Sequence, residues 1–301
     1  FIILCITALV AGIYLFISLR ERTLRREKEH LEQKVEERTA EVVSKSLELE
    51  EKNRDTTASI RYAERIQAAM LPPENFFNDT FVLFMPRDIV SGDFYWMHDS
   101  GFKQYIAAVD CTGHGVPGAF MSIIGHNSLN KIVRESGITK PSDILDHLNI
   151  EVVHALLQRS EKAVRDGMDI SVISYDILEH TVEYAGAYQP LYHVRDGKVT
   201  IYRGDRFPIG MIDGQARKSF TNNRVDVKPG DMLYIFTDGF ADQFGGEHEK
   251  KFKTINIRSL LAEIHMLPVE EQKRRLEKAI REWMGGLAQV DDILFIGTRV
   301  P

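Results

Sequence analysis

Cysteine is scarce in this chain, since only Cys5 and Cys111 occur among its 301 residues. The two lie far apart in sequence, and a pair of cysteines can build neither a disulfide framework nor a thiolate zinc site. So little cysteine fits a reducing compartment for everything after the first twenty residues.

An excess of positive charge is also missing, because 38 Lys and Arg stand against 44 Asp and Glu, for a formal net charge of −6. Nucleic-acid binding needs a basic surface that neutralises phosphates, so we expect no nucleic-acid partner. The hydrophobic content of 44% and the charged content of 27% are ordinary for a globular protein. The length allows one large domain or two small ones.

Charge and proline are both absent from residues 1–19, the apolar run FIILCITALVAGIYLFISL. A helix of this length, rising about 1.5 Å per residue, just crosses ~30 Å of hydrocarbon. Five cations follow directly, and the positive-inside rule keeps them and everything downstream in the cytoplasm. They are Arg20, Arg22, Arg25, Arg26 and Lys28.

We therefore predict an anchor in the inner or plasma membrane. The alternatives are a buried core helix or a cleaved signal peptide, but a signal peptide carries its basic residues before the apolar run. The chain begins with Phe1 rather than Met, so we expect a piece of a longer protein with an upstream sensor part.

Glycine and proline are absent from about Leu24 to Met70, a highly charged stretch that predicts one long helix. In a heptad register one seam line is mostly apolar and the other is mostly polar in its middle. A strong coiled coil needs both lines apolar, so we predict a weak parallel homodimer whose packing a signal changes. A solvated single-helix spacer is the alternative. Leu71-Pro72-Pro73 should end the helix, because proline cannot continue it.

The remainder carries strand-like runs rich in β-branched and aromatic residues, with helical patterns between them. Strands are predicted at Phe81–Met85, Gln104–Asp110, Ile170–Ile177, Thr181–Ala185, Leu191–Arg195, Asp231–Thr237 and Ile293–Thr298. Helices are predicted at Gly118–Arg134, Ser142–Arg165, Ile257–His265 and Val269–Trp283. This order favours an α+β sandwich of antiparallel sheets over a βαβ alternation. The predicted division is a membrane helix at 1–19, a linker helix at 20–73 and a globular domain at 75–301.

Acidic residues stand out at four places, where the pattern predicts that an apolar strand ends and a glycine turn begins. They are Asp93 in Ser91-Gly92-Asp93, Asp110 after Tyr105–Val109, Asp238 in Thr237-Asp238-Gly239, and the pair Asp291-Asp292 before Ile293. One such acid is usually a cap or a turn residue. Several that converge at one sheet edge repel one another, and a hard divalent cation relieves the repulsion. Oxygen ligands point to Mg²⁺ or Mn²⁺ rather than zinc, and two such ions can activate a water and clamp a phosphoryl group.

A glycine-rich stretch, Gly113-His114-Gly115-Val116-Pro117-Gly118, formally matches the dinucleotide fingerprint G-x-G-x-x-G. That motif requires a parallel strand ending in an acid about twenty residues further on. Here the chain continues into a second helix instead, so the pattern disfavours a dinucleotide-dependent oxidoreductase.

With these motifs in place, residues from about Phe81 to Arg299 resemble the PPM family of metal-dependent protein phosphatases, in particular its SpoIIE-like sporulation and stress-response branch. The resemblance rests on four motifs in the family's order: S-G-D-F-Y at 91–95, D-x-T-G-H-G-x-P-G at 110–118, T-D-G at 237–239 and D-D at 291–292. The helix ending in Arg65–Pro72 is similar to the linker helix that precedes such domains.

The resemblance implies a four-layer α/β/β/α sandwich with two Mn²⁺ or Mg²⁺ ions at one end. Asp93 and Asp110 would share the ions, the Cys111 carbonyl would add a ligand, and Asp238 and Asp291 would complete the set. Asp292 would support the ligands without binding an ion itself, or it would exchange roles with its neighbour Asp291.

The same resemblance implies hydrolysis by an activated water without a phosphoenzyme. His114 would protonate the departing seryl oxygen, or it is merely a turn histidine. Arg87 would hold the phosphate as a bidentate fork, or it forms a surface ion pair.

Two positions depart from the family pattern. Trp96 stands where relatives often place an acid, so a ligand role is absent there. Asp169 is a further acid near a strand start, where it supports a third, weaker metal site or caps the strand.

The leading functional hypothesis is a phosphatase acting on phosphoserine or phosphothreonine of a protein, and the resemblance implies a substrate such as an anti-sigma-factor antagonist. The alternative is a catalytically silent, dimeric signalling adaptor of the same fold. A domain freed from catalysis has no need to keep clustered charge, which favours the enzyme.

Overall fold

The computed structural model describes residues 1–157, 166–210 and 219–301, and the chain divides into two units, Phe1–Ser59 and Ile60–Pro301. Helix α1 runs continuously over Ile2–Met70 and ends directly before Leu71-Pro72-Pro73, as the prolines predicted. Among the described residues, α1 is the one helix long and apolar enough, by length and composition, to cross a membrane.

The second unit contains two five-stranded antiparallel sheets. The first sheet has the strand order β1-β12-β9-β6-β7, with bounds Thr80–Met85, Ile293–Arg299, Met232–Phe236, Leu191–Arg195 and Lys198–Tyr202. The second has the order β2-β3-β4-β5-β8, with bounds Phe94–Asp99, Lys103–Cys111, Met168–Asp176, Thr181–Ala187 and Asn223–Val225. A two-stranded hairpin pairs β10 (Phe244–Gly245) with β11 (Lys250–Lys251).

Helices occur in all four predicted regions of this unit, and a further short helix was not predicted. They are α2 (Gly115–Leu129), α3 (Pro141–Leu157), the short α4 (Gly239–Asp242), α5 (Thr254–Ile264) and α6 (Val269–Met284). A π-helical turn, Asn130–Glu135, extends α2. The helix predicted over Ser142–Arg165 is observed as α3, and residues 158–165 lie outside the described residues.

Three apolar layers hold the sandwich together. One lies between the sheets, one lies between the second sheet and α2 with α3, and one lies between the first sheet and α5 with α6. Strand β3 shows the cause, because Ala107 and Val109 face the helices whereas Ile106 and Ala108 face the other sheet. Strands buried on both faces need cover on both sides, so the α/β/β/α sandwich is confirmed.

Candidate metal and phosphate site

Strand pairing brings the predicted acids to one end of the sandwich. Asp110 is the penultimate residue of β3, and it lies directly opposite Asp169 of β4. Asp93 immediately precedes β2, whose first residue pairs near the end of β3. Asp93 therefore stands at a strand start and not at a strand end, where the sequence analysis had placed it.

The other acids reach the same end from the first sheet. Asp238 follows β9, and the pair Asp291-Asp292 immediately precedes β12, which runs antiparallel to β9. Gly239 allows these turns to meet, because a Cβ added there would lie only 2.0 Å from the carbonyl oxygen of Asp292.

Asp93 is the most deeply buried of the predicted ligands after Asp292, with 3% of its surface exposed. Burial raises the pKa of its carboxyl well above the usual range, the charge of Asp110 raises it further, and a hydrogen bond with Thr237 acts in the opposite direction. Among the described residues its Oδ2 atom has no hydrogen-bond partner. A buried carboxylate oxygen without a partner is costly, which leaves this atom open to a ligand.

The pKa values of three neighbouring acids are raised as well. Burial and then the charge of Asp238 raise the pKa of Asp110 to about 8 and that of Asp169 to about 6. Burial, followed by the charges of Asp242 and Asp291, raises the pKa of Asp238. These carboxyls release their protons at a higher pH than an isolated Asp does, because burial penalises the charged form and the neighbouring acids repel one another.

Asp292 differs from the other acids, because backbone amides occupy both of its oxygens. The amide of Arg87 donates to Oδ1 at 2.7 Å, and that of Gly92 donates to Oδ2 at 2.8 Å. Asp291 accepts the amide of Asp292 on Oδ1, and no described residue donates to its other oxygen. This arrangement favours Asp291 as the ligand and Asp292 as the residue that holds the loop beside Asp93.

Cys111 contributes to this end through its main chain. Its side chain packs in the core between β3 and the helices, and burial raises the pKa of the thiol well above its usual range, so the thiol stays neutral. The carbonyl oxygen lies 3.3 Å from the place that a Cβ on Gly92 would occupy, next to Asp93.

The donor set fits Mg²⁺ or Mn²⁺, because carboxylates and a carbonyl are the oxygen ligands that hard cations take. A cation beside Asp93 Oδ2 would supply the missing partner and offset the repulsion among the acids. Within residues 1–157, 166–210 and 219–301, no three His, Cys, Asp or Glu side chains are already arranged around one metal position.

Arg87 lies at the same end and keeps its guanidinium accessible. Its Nη1 donates to the carbonyl of Val290 at 3.0 Å, and in the described part of the chain it forms no ion pair. Among the described residues, no acid pairs with Arg87 and nothing binds its other guanidinium donors, so these can meet a phosphate.

His114 stands at the N-terminus of α2, between two glycines with positive φ, Gly113 and Gly115. Its Nδ1 lies 2.9 Å from Oδ2 of Asp88, a residue that the sequence analysis did not single out. Asp88 belongs to the same loop as Arg87 and Asp93, and this adjacency was the available signal.

Gln67, which is buried near the end of α1, is a second contributor that the sequence pattern did not predict. Its amide donates to the Ser91 carbonyl at 2.7 Å and to the Ser122 hydroxyl at 2.8 Å, and its oxygen accepts the Ser91 amide at 3.0 Å. Gln67 thereby fixes the residue two positions before Asp93. A polar residue in a charged helix gives no sign of such burial.

The glycine-rich stretch that matches the dinucleotide motif serves close backbone packing rather than dinucleotide binding. Strands β3 and β4 around it pair antiparallel, so the parallel βαβ unit of a dinucleotide site is absent from this place. The glycines instead allow close packing, because a Cβ on Gly118 would lie 2.3 Å from the Gly113 carbonyl oxygen.

Comparison with known proteins agrees with this geometry. The family model described as stage II sporulation protein E (SpoIIE) matches residues 100–301. No curated protein matches the chain. Among solved structures, the SiaA-PP2C domain of Pseudomonas aeruginosa is similar at 31% identity and a TM-score of 0.76, over 83% of this chain and 98% of that one.

Two more distant structures share the fold. One contains the PP2C phosphatase domain and a fragment of the regulatory domain of SpoIIE from Bacillus subtilis, at 21% identity and a TM-score of 0.59, over 73% of this chain and 62% of that one. The other contains the RsbU and RsbW domains of a Mycobacterium tuberculosis protein, at 19% identity and a TM-score of 0.58, over 74% of this chain and 60% of that one.

The α/β/β/α sandwich with acids gathered at one end defines a PP2C-type (PPM) phosphatase domain. The SpoIIE family model matches more than half of the chain, and the identity to the SiaA domain is 31% across nearly all of that domain. Together these matches identify the family within the PPM phosphatases. The chain belongs to the SpoIIE family.

Proposed function

We propose that this chain is a membrane-tethered, metal-dependent protein phosphatase that hydrolyses phosphoserine or phosphothreonine on a cytoplasmic regulatory protein. One observation carries the proposal. Asp93, Asp110, Asp169 and Asp238 lie at one end of the sandwich with raised pKa values, and a buried oxygen of Asp93 has no partner among the described residues. Such a cluster is costly unless it holds cations.

Two Mn²⁺ or Mg²⁺ ions, when bound, would activate a water and neutralise charge on the phosphoryl group. Asp93, Asp110, Asp238, Asp291 and the Cys111 carbonyl would hold them, and Asp169 would support a third, weaker site. The fold neighbour RsbX has been solved in complex with magnesium, which supports this choice of cation.

Other residues of the chain would act on the substrate. Arg87 would orient the phosphate through its free donors, and Asp292 would keep Arg87 and Asp93 in place through the amides on its two oxygens. His114 would deliver a proton to the departing seryl oxygen.

Location and partners follow from α1. The apolar residues 1–19 would anchor the chain in the inner or plasma membrane, and the charged part would form a weak homodimeric coiled coil that carries a signal to the domain at 75–301. The substrate would be an anti-sigma-factor antagonist or a similar phosphoprotein.

The test uses the full chain in detergent, stripped with chelator and assayed on a phosphoserine peptide with and without Mn²⁺. We expect hydrolysis that Mn²⁺ restores, and its loss in Asp238→Asn and Asp291→Asn. The matched control is Asp226→Asn, which removes an exposed carboxylate paired with Arg195 and should leave turnover unchanged.

A chain that binds Mn²⁺ calorimetrically but hydrolyses nothing would be the silent adaptor instead. A chain whose turnover survives chelation and both Asn substitutions would contradict the metal-dependent reaction altogether.

A further inference from the structure

The contact between Asp88 and His114 lies beside the proposed reaction centre. Oδ2 of Asp88 is 2.9 Å from Nδ1 of His114, and the side chains are 43% and 52% exposed. An ionised carboxylate only accepts hydrogen bonds, so the proton in this contact belongs to Nδ1. An exposed ion pair adds little to stability, so the geometry of the pair matters more than its strength.

Asp88 is held in place by the residues on either side of it. The amide of Arg87 precedes Asp88 and the amide of Gly92 follows it, and both donate to the carboxylate of Asp292, at 2.7 and 2.8 Å. Ser91, in the same loop, is bound by Gln67 through both main-chain polar atoms. The loop that carries Asp88 is therefore closed onto Asp292.

His114 is also mounted on a close-packed turn. Its neighbours Gly113 and Gly115 have φ values of +85° and +65°, which L side chains rarely adopt. The Gly113 carbonyl packs where a Cβ on Gly92 or Gly118 would approach it to 2.5 or 2.3 Å. The turn with His114 and the loop with Asp88 are thus packed against each other one residue from Asp93.

Resting on the proposed function, we propose that Asp88 is a positioning residue, which holds the imidazolium form of His114 by Nδ1–H so that Nε2–H is presented to the seryl oxygen of the substrate. The phosphorus–oxygen bond to serine breaks as the attacking water bonds to phosphorus. The electron pair of the broken bond stays on the seryl oxygen, which takes the Nε2 proton. The proton released by the water restores His114.

The test compares two substrates with different leaving groups on the full chain in detergent with Mn²⁺. Serine is a poor leaving group and needs a proton, whereas p-nitrophenolate departs without one. We expect Asp88→Ala to lower kcat about 10- to 100-fold on a phosphoserine peptide and to change p-nitrophenyl phosphate hydrolysis by less than about 2-fold. Asp88→Asn, which still accepts from Nδ1–H but lacks charge, should fall between. Asp226→Ala, which removes another exposed ion pair, is the control.

A double variant separates positioning from a general structural role. If Asp88 acts through His114, Asp88→Ala should cost nothing further in a His114→Ala background. Equal losses on both substrates, or independent losses in the double variant, would overturn the proposal.

A chain that hydrolyses neither substrate would defeat the proposed function, and the contact is then judged by spectroscopy. The ¹⁵N shifts of the His114 ring, assigned by comparison with His114→Gln, should change in Asp88→Ala and not in Asp226→Ala. Unchanged ring shifts would show that Asp88 does not hold the imidazole.

Discussion

The buried aspartates at one end of the sandwich should make the metal-free protein less stable as pH rises. An unfolded Asp is ionised above pH ~4, whereas folded Asp110 keeps its proton to about pH 8, because of burial and then the charge of Asp238. A raised folded pKa means that the stability is fully present below pH ~4 and is lost as pH rises toward 8.

The size of the loss follows from the same shift. Each pH unit in this window lowers the free energy of unfolding by ~1.4 kcal/mol, so the rise from pH 4 to pH 7 lowers it by about 4 kcal/mol. Asp110 is only partly buried, and water that reaches it lowers the figure to about 2–4 kcal/mol. The substitution Asp110→Asn removes the charge and keeps the shape. It should therefore stabilise the chelated protein by this amount at pH 7 and by almost nothing at pH 4.

The assay is unfolding of the chelated chain, followed by the fluorescence of Trp96 and Trp283, the two tryptophans of the chain. The control is Glu247→Gln, at an exposed position of the β10–β11 hairpin. With Mn²⁺ the order should reverse, because only the native site with all its ligands gains binding energy. A difference between Asp110→Asn and the unaltered chain that does not depend on pH would refute the reasoning.

Three further results are expected. Gly118→Ala should lower the free energy of unfolding by about 1–3 kcal/mol and weaken Mn²⁺ binding, because its Cβ would meet the Gly113 carbonyl at 2.3 Å. The control is Gly286→Ala, where nothing lies within 4 Å of the added Cβ, and it should change neither thermal unfolding nor Mn²⁺ binding. Gln67→Ala should lower the free energy of unfolding by about 1–3 kcal/mol and lower kcat, because it leaves buried polar groups at Ser91 unpaired. Equal kcat values for the variant and the unaltered chain would contradict that role. Burial alone would raise the pKa of Asp231, but hydrogen bonds, led by that of Arg195, lower it. Asp231→Asn should therefore lower the free energy of unfolding at pH 7, and this difference should shrink as pH falls below ~4. Urea titrations at the two pH values measure it.

Much of the fold could be predicted from local patterns. Runs such as Phe81–Met85 and Leu191–Arg195 are apolar, short and bounded by turn residues, and they occur as strands within one residue of the expected bounds. Strand β2 was not predicted as a strand, because Phe94–Asp99 is apolar at first and then polar, and its burial depends on β3 and the helices beside it. Strand β8 has three residues and exists only through its pairing with β5.

The acidic residues were visible in the sequence, because each lies at a turn beside an apolar strand. Whether they meet was decided by tertiary structure. Antiparallel pairing sets Asp110 opposite Asp169, and glycines without Cβ atoms let the turns at Asp238 and Asp292 touch.

The sequence by itself determined the apolar and charged segments of α1, the proline stop after Met70 and the alternation that buries strands on both faces. These depend on neighbours within a few residues. Only the tertiary structure decided that Gln67 binds Ser91 across 24 residues and that Asp292 gathers the amides of Arg87 and Gly92 across about 200. Hydrogen bonds at such separations depend on how the layers pack, and no local pattern encodes them.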